Sequence, residues 1–583
     1  MLFISGVNME KLLYNVFSIM LLASTIYGSK LPDSSFQKQQ VYQMHQEPNI
    51  RINLTQVSCD VIIAGGSTAS LGAAIASARR NPDVTICLTE PTDWLGGQMT
   101  SSGVSAIDFG NYNKKAEFQS AAFAEMMNSL GGEENPGRCW VSIKCYLPRD
   151  LVEGWIHKTV TALPNLKIYY NTVIKSVDKL ERMIISVEAI RRTINPPFHP
   201  WTTRLSDELP DWYSTDESEY YSKEIINFIP KFPRQYPIVI EATEYGDVLA
   251  LSEASYRIGV ESPEEESNTT IENCGQCVTF PFFMIAYNTT APKQDVPNPG
   301  GSYSFTGESW GRIWAYRRAV GLNIGEQDEL HLGEISQQNW GNGNDLCDGY
   351  IYLNKTETTK QLNDWQGGIN LTSLRAVEDR GWGWYNFYKG NLSEELQSHM
   401  YLGLSDVIGT TTGLSKVPYL RDSRRSIGLD GFLFTKKDQL TPAVNNNDLK
   451  SGINFSIKFH DSIAIGSYMS DIHKMNKCKW PRYTDDKSIL PFHIPFRALT
   501  NQDFDNLLVA GKSMAQTEAG NAPSRMHPTE FLTGEAAGTA SIMMLEQQLT
   551  TRQLYDQIKE LQDELVKFMP IYWDQPRNVT RTA

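Results

Sequence analysis

Residues 59–70 read Cys-Asp-Val-Ile-Ile-Ala-Gly-Gly-Ser-Thr-Ala-Ser, and Glu90 follows twenty residues beyond Ser70. The apolar run predicts a buried strand, and the small residues Gly65–Ser70 predict a tight turn. A small-residue helix over 71–80 and a second strand over 84–88 complete a βαβ unit. Such a unit lays a dinucleotide pyrophosphate on a helix N-terminus, where free N–H groups and the dipole meet negative charge. Glu90 stands where an acid binds a ribose hydroxyl pair. Ser67 and Ser70 replace the second and third glycines of the usual fingerprint. Serine keeps the backbone near the phosphates but predicts a looser helix–strand contact.

Outward from this unit, Pro91–Gln98 carries the pair Gly96-Gly97, which permits close approach to a ligand. Residues 166–178 and 183–189 alternate as strands do. Residues 193–235 are rich in Pro, Trp and acids and are expected as a surface insertion. Strand periodicity returns over 237–243 and again over 505–511. Tryptophans, among them Trp310, Trp314, Trp340, Trp365, Trp382 and Trp384, mark residues 260–485, with core packing favoured over ligand stacking as their role. A helix starting at Pro528 follows, then a charged amphipathic helix over 553–568.

These segments divide the chain into a dinucleotide domain in two parts, 58–259 and 486–550, around a substrate domain at 260–485. A C-terminal helix and tail occupy 551–583. At the other end, Lys11 precedes the apolar run Leu12–Ala23, with smaller residues to Gly28. Residues 1–28 therefore read as a removed signal peptide, with a signal anchor as the rival, and 29–57 as a disordered leader. Eight N-x-S/T sequons, beginning at Asn53, Asn268, Asn288, Asn354, Asn370, Asn391, Asn454 and Asn578, agree with passage through the secretory pathway. The expected location is secreted or luminal.

The 583 residues are 41% hydrophobic with net charge −14, enough for a large core and adverse to nucleic acid and anionic membranes. No further segment reads as a membrane span, and no metal-ligand or haem spacing is found. Eight cysteines suit an oxidising compartment. Cys59 and Cys87 are expected as buried thiols. Cys139/Cys145 and Cys274/Cys277 are local pairs, and Cys347 and Cys478 remain for a longer bridge. Spacing leaves the connectivity open.

Taken together, the motifs resemble the FAD-dependent oxidoreductases of the glutathione-reductase-type flavoprotein superfamily. The matching segments are Gly65–Ser70, Glu90–Gly97, Glu241–Asp247, Arg421–Gly428, Asp461–His473 and Asn506–Lys512. The resemblance implies an α/β fold: a Rossmann-type three-layer FAD-binding domain with an interwoven α+β substrate domain. It further implies that the backbone of Gly65, Gly66, Ser67, Thr68, Ala69 and Ser70 cradles the pyrophosphate, with Glu90 on the adenosine ribose. Gly96, Gly97 and Gln98 would border the flavin and Val173 would meet the adenine. Ala242 and Thr243 would close over the dinucleotide, and Gly511 would approach it. Lys512 departs from the family, many members of which carry Asp there. Pro528 and Thr529 would open a helix whose N-terminus stabilises negative charge on the flavin.

His527, with Arg525 beside it, would lie near the flavin ring as candidate base, and His473 is the second candidate. Arg421, Arg424 and Arg425 could hold an anionic substrate, and Glu518 could replace a histidine. A secreted flavoprotein meets little NAD(P)H, and no second GxGxxG is found, so oxidation of a small organic substrate with O2 or another extracellular acceptor is expected. Hydrogen peroxide would be the product of the O2 route. Two rivals stand beside this: a thiol oxidase using Cys274/Cys277, for which a structural disulfide is the favoured alternative, and a flavoprotein fold kept only for binding.

Overall fold

Val61 and Ile63 face one core and Ile62 and Ala64 another, the two-residue period of a strand buried on both sides. This strand, β2 (Val61–Ala64), is central in a five-stranded parallel sheet. The other members are β3 (Ile86–Thr89), β4 (Leu166–Tyr169), β8 (Ile238–Glu241) and β9 (Leu507–Val509), in the order β9-β8-β2-β3-β4. The computed structural model describes residues 54–131, 135–262, 270–303, 309–322, 328–443 and 453–575. The signal-peptide expectation lies outside them, as do Asn53, Asn268 and Asn578.

On one face of the sheet, α1 (Thr68–Arg80) packs against α3 (His527–Gln547). Their backbones nearly touch: a Cβ on Gly534 would lie 1.9 Å from the Ala69 carbonyl oxygen, and one on Gly538 2.3 Å from that of Ala73. Ser77 Oγ donates to the Gly538 carbonyl at 3.1 Å. The opposite face is covered by a second sheet in the order β1-β7-β6-β5, built from β1 (Leu54–Cys59), β5 (Thr172–Leu180), β6 (Met183–Ile194) and β7 (Tyr221–Pro230). The result is the expected three-layer α/β arrangement.

Several boundaries differ from expectation. Strand β1 begins at Leu54, inside the supposed leader, because it pairs in parallel with β7. Most of the supposed surface insertion is structural. Its helix α2 (Leu205–Tyr213) buries Leu205, Leu209, Trp212 and Tyr213, and β7 lies between β1 and β6. The strand Ser462–Gly466 and its hairpin partner Phe492–Pro495 join the helical-side core, so that layer resumes before residue 485. The helix expected over 553–568 is two shorter ones, Thr551–Asp556 and Ile558–Leu565.

The substrate region contains an antiparallel sheet (Arg318–Val320, Ile335–Gln338, Phe282–Ala286, Met400–Leu402) and the helix Leu371–Gly390. Trp314, Trp365, Trp382 and Trp384 are buried there as core.

All eight cysteines are paired, as Cys59–Cys87, Cys139–Cys145, Cys274–Cys478 and Cys277–Cys347. Only Cys139–Cys145 follows the local expectation. Cys59 and Cys87 are not thiols: the end of β1 and the middle of β3 bring their Cα atoms within 6.0 Å, inside bridging range. Cys274 and Cys277 do not pair with each other. Each ties its loop to a distant segment, so no C-x-x-C dithiol is present and the thiol-oxidase reading loses its reactive centre. Among the sequon asparagines described, Asn288, Asn391 and Asn454 are exposed, while Asn354 and Asn370 cap helices.

Candidate functional site

At the carboxyl end of the parallel strands lies a cleft. Gly65, Gly66, Ser67, Glu90, Gly97, Val173 and Thr243, all anticipated from sequence, line it. The turn has to be glycine. Gly65 has φ +87, and a Cβ there would lie 2.4 Å from Thr243 Cα; a Cβ on Gly97 would lie 2.7 Å from Ser67 Cα. The substituted serines have definite work. Ser67 caps α1, its Oγ accepting from the Ser70 N–H at 3.2 Å. Ser70 Oγ donates to the Ala242 carbonyl at 3.0 Å, which ties the helix to β8 rather than loosening it. The N–H groups of Thr68 and Ala69 belong to the first turn of α1, before the intrahelical ladder begins, the usual seat for phosphate oxygens.

Glu90 stands at the end of β3. Its Oε1 accepts from the Thr92 N–H and Oγ1, both at 2.7 Å, while Oε2 lies where a Cβ on Gly66 would be, 1.5 Å from that position. Burial pushes its carboxyl up to about 8, against the lowering pull of Thr92. A buried acid of this kind gains from hydroxyl donors such as a ribose diol. Burial also raises Glu241 to about 7, Glu378 to about 7 and Asp247 to about 6. Acids raised in the fold bind more protons than in the unfolded chain, between their ordinary range and these values. The cofactor-free protein is therefore expected to lose stability as pH rises from 5 to 8, read as a falling melting temperature. Affinity for an adenosine dinucleotide is expected to rise over the same span, by up to about tenfold per pH unit, with Glu90→Gln flattening the rise.

Beyond the phosphate turn the remaining candidates converge. Glu244 lines the cleft and accepts from Lys512 Nζ at 2.7 Å; Lys512 also meets Glu530 Oε1 at 3.2 Å. Burial alone would lower Lys512, but Glu244 and Glu530 outweigh it and hold the ammonium charged. Two acids, Glu244 and Glu530, thus stand beside Lys512. Gln98 Nε2 donates to Glu530 and, at 2.9 Å, to the Arg525 carbonyl. Gln98 Oε1, Glu244 Oε1 and Arg525 Nε are buried without a protein partner. Gly511 takes φ +69 beside Ala69 and Glu530. Pro528 and Thr529 are buried in the first turn of α3, one residue before Glu530. Gly96 hydrogen-bonds through its N–H to the Gly66 carbonyl at 2.9 Å, and Ala242 backs the turn.

The three proposed catalytic groups differ in setting. The Arg525 guanidinium donates to Tyr419 Oη and, at 3.0 Å, to the Asp471 carbonyl. His473 lies between Asp345, 2.6 Å from Nδ1, and Asp471, 3.2 Å from Nε2. His527 is different from what its sequence position suggested. Its Nδ1 accepts from the Asp108 N–H and its Nε2 faces the Val104 carbonyl, both at 3.1 Å, and burial lowers it to about 4. Both nitrogens are taken by backbone, so the side chain pins the 104–108 segment and has none left to act as a base. His527→Ala would orphan the buried Val104 carbonyl and the partly buried Asp108 N–H and is expected to cost about 1–3 kcal/mol in denaturant unfolding.

Arg421, Arg424 and Arg425 are buried and partnered rather than open to an anion. Arg421 meets Asp345 at 3.0 Å, Arg424 donates to three backbone carbonyls, and Arg425 joins Glu518 at 2.8 Å and Glu261 at 3.3 Å. That pairing also occupies Glu518. Sequence reasoning missed Glu530 and the cleft-lining Glu244, Trp212 and Tyr213. Glu244 lies inside the quoted strand-end motif and Glu530 two residues after Pro528, so proximity was the available signal.

The sequence model of the family described as FAD dependent oxidoreductase matches residues 60–195 and 235–565. No curated protein matches the chain. Similar solved structures include an L-proline dehydrogenase from P. horikoshii, 18% identical over 37% of this chain and 25% of that one, TM-score 0.17. Escherichia coli quinol fumarate reductase is 10% identical over 88% of this chain and 75% of its own, TM-score 0.28. A geranylgeranyl bacteriochlorophyll reductase-like protein from Thermoplasma acidophilum is 9% identical over 88% and 86%, TM-score 0.31. The chain spans a quarter of the first of these, and 48% of a Pseudomonas putida p-nitrophenol 4-monooxygenase.

Proposed function

This chain belongs to the FAD-dependent oxidoreductases, and from that premise we propose a secreted enzyme that oxidises a small organic molecule by hydride transfer, with O2 as acceptor and hydrogen peroxide as product. FAD is the cofactor. The observation that carries the assignment is the glycine-walled cleft: Gly65 and Gly97 admit no side chain, the first turn of α1 faces it, and Glu90 waits at one end. When bound, the flavin supplies the hydride-accepting ring.

The protein's own groups would divide the remaining tasks. The first turns of α1 would take the phosphate charge, and Glu90 the ribose hydroxyls. Lys512, held between Glu244 and Glu530, puts a fixed positive charge beyond the phosphate turn, and the N-terminus of α3 at Pro528 adds to it. Arg525, with Nε unsatisfied, would orient a substrate oxygen or nitrogen. His473 is partly exposed, but Asp345 and Asp471 engage both its ring nitrogens, so by the criterion that removes His527 it has no free nitrogen for a base. Secretion is supported by four disulfides among the described residues and by the N-terminal apolar run.

A screen of alcohols, amines and sugar derivatives on the glycosylated protein tests this. The expected result is anaerobic bleaching of the flavin by one class, and stoichiometric peroxide when air is admitted. Bleaching that air does not reverse would replace O2 by another acceptor.

A further inference from the structure

The family match stops at residue 195 and resumes at 235, so residues 196–234 lie outside what the family shares. Helix α2, in this segment, nevertheless reaches the cofactor cleft: Leu209, Trp212 and Tyr213 line it together with Val173. The adenosine end of the cleft is identified by Glu90, whose carbonyl accepts from the Thr172 N–H at 2.8 Å. Just outside the segment, Arg192 is 3% exposed, and its guanidinium carbon lies 4.1 Å from the Trp212 ring centroid. Arg192 Nη2 donates to the Pro91 carbonyl at 2.7 Å, in the loop that follows Glu90, while Nε and Nη1 have no protein acceptor. The indole is therefore held by a cation at one face and by Trp201 edge-on at 5.5 Å, and lines the cleft while almost wholly buried. Its Nε1 donates to Glu208 at 3.2 Å, which also accepts from Tyr221 Oη at 2.6 Å.

The segment is anchored on its far side as well. Ser206 Oγ donates to Glu378 at 2.6 Å and Arg204 pairs with Asp379 at 2.7 Å, both acids being on the helix Leu371–Gly390. An aromatic wall held at both ends costs little to order when a flat ring packs on it.

We infer that helix α2, which lies outside the matched family segments, is a clamp, with Trp212 and Tyr213 forming the aromatic wall against the adenine of FAD. The inference rests on FAD as cofactor and adds the residues that retain it. Base–aromatic contact accounts for a sizeable part of nucleotide affinity, so its loss acts mainly on release.

The test compares the full-length wild type with Trp212→Ala and Trp212→Phe. FAD release after dilution is followed by the rise in flavin fluorescence. ADP-ribose, which has no flavin, is titrated into the cofactor-free proteins, with the heat of binding as the signal. Trp212→Ala is expected to release FAD about 10- to 100-fold faster and to bind ADP-ribose about tenfold more weakly, with Trp212→Phe recovering most of both. Folded Trp212→Ala that keeps wild-type release and ADP-ribose affinity overturns the clamp while leaving FAD binding intact. Absence of FAD from the wild type overturns both. Should Trp212→Ala not fold, Leu209→Ala is read by the same two measurements with the same expected direction.

Discussion

Gly65→Ala is expected to emerge from purification folded but without flavin, its affinity for FAD lowered by about 100-fold or more. Two costs combine. An L-residue at φ +87 is strained by about 1–2 kcal/mol, and the new Cβ would lie 2.4 Å from Thr243 Cα and 2.7 Å from Thr243 N. Those are backbone atoms of the segment following β8, so no rotamer relieves the contact; the turn or that segment must move. Either movement changes the distance between the first turn of α1 and the strand ends, on which phosphate binding depends. A hundredfold loss corresponds to about 2.7 kcal/mol. Gly66→Ala is a useful contrast: its Cβ would meet the Glu90 side chain, which can turn away, so a smaller loss is expected. Equilibrium titration with FAD, beside far-UV circular dichroism for the fold, decides between them. Wild-type affinity in Gly65→Ala would remove this turn from the cofactor site.

Arg425→Met is expected to have the largest effect on stability, about 3–5 kcal/mol. Arg425 is fully buried, pairs with Glu518 and Glu261, and donates to the carbonyls of Gly259 and Gln516. Without it Glu518 loses its cation in the core, and Glu261 keeps only Arg257 at 3.9 Å. Burial first, then the neighbouring acids Asp422 and Glu261, push Glu518 up to about 8 even with Arg425 present. The variant should therefore be recovered in low yield and unfold at lower denaturant concentration. The same substitution separates two roles for this arginine cluster. An anion-binding role would raise the substrate KM with stability unchanged, whereas a structural role lowers stability and leaves the KM of surviving enzyme alone. The observed partners predict the second.

What was legible in the sequence follows from what each signal encodes. The apolar run Val61–Ala64 and the small residues of Gly65–Ser70 carry their meaning locally, so the central strand and phosphate turn could be read directly. The cysteine partners could not, because Cys274 lies 204 residues from Cys478 and Cys277 70 from Cys347. Only the completed fold brings those loops together. Strand β7 was obscured by the Pro-, Trp- and acid-rich stretch before it, and its place between β1 and β6 is a tertiary fact. His527 is instructive in another way. Its position before Pro528 suggested chemistry, but burial and the backbone of residues 104–108 turn it into a brace. Lys512 looked like a broken motif until Glu244 and Glu530 stood beside it.

Whether this cleft holds FAD is decided by the cofactor content of the purified protein. Denaturation followed by chromatographic identification should release one FAD per chain, and the native protein should absorb as an oxidised flavoprotein. A folded protein that releases no FAD, and that neither binds added FAD nor gains thermal stability from it, would contradict the account.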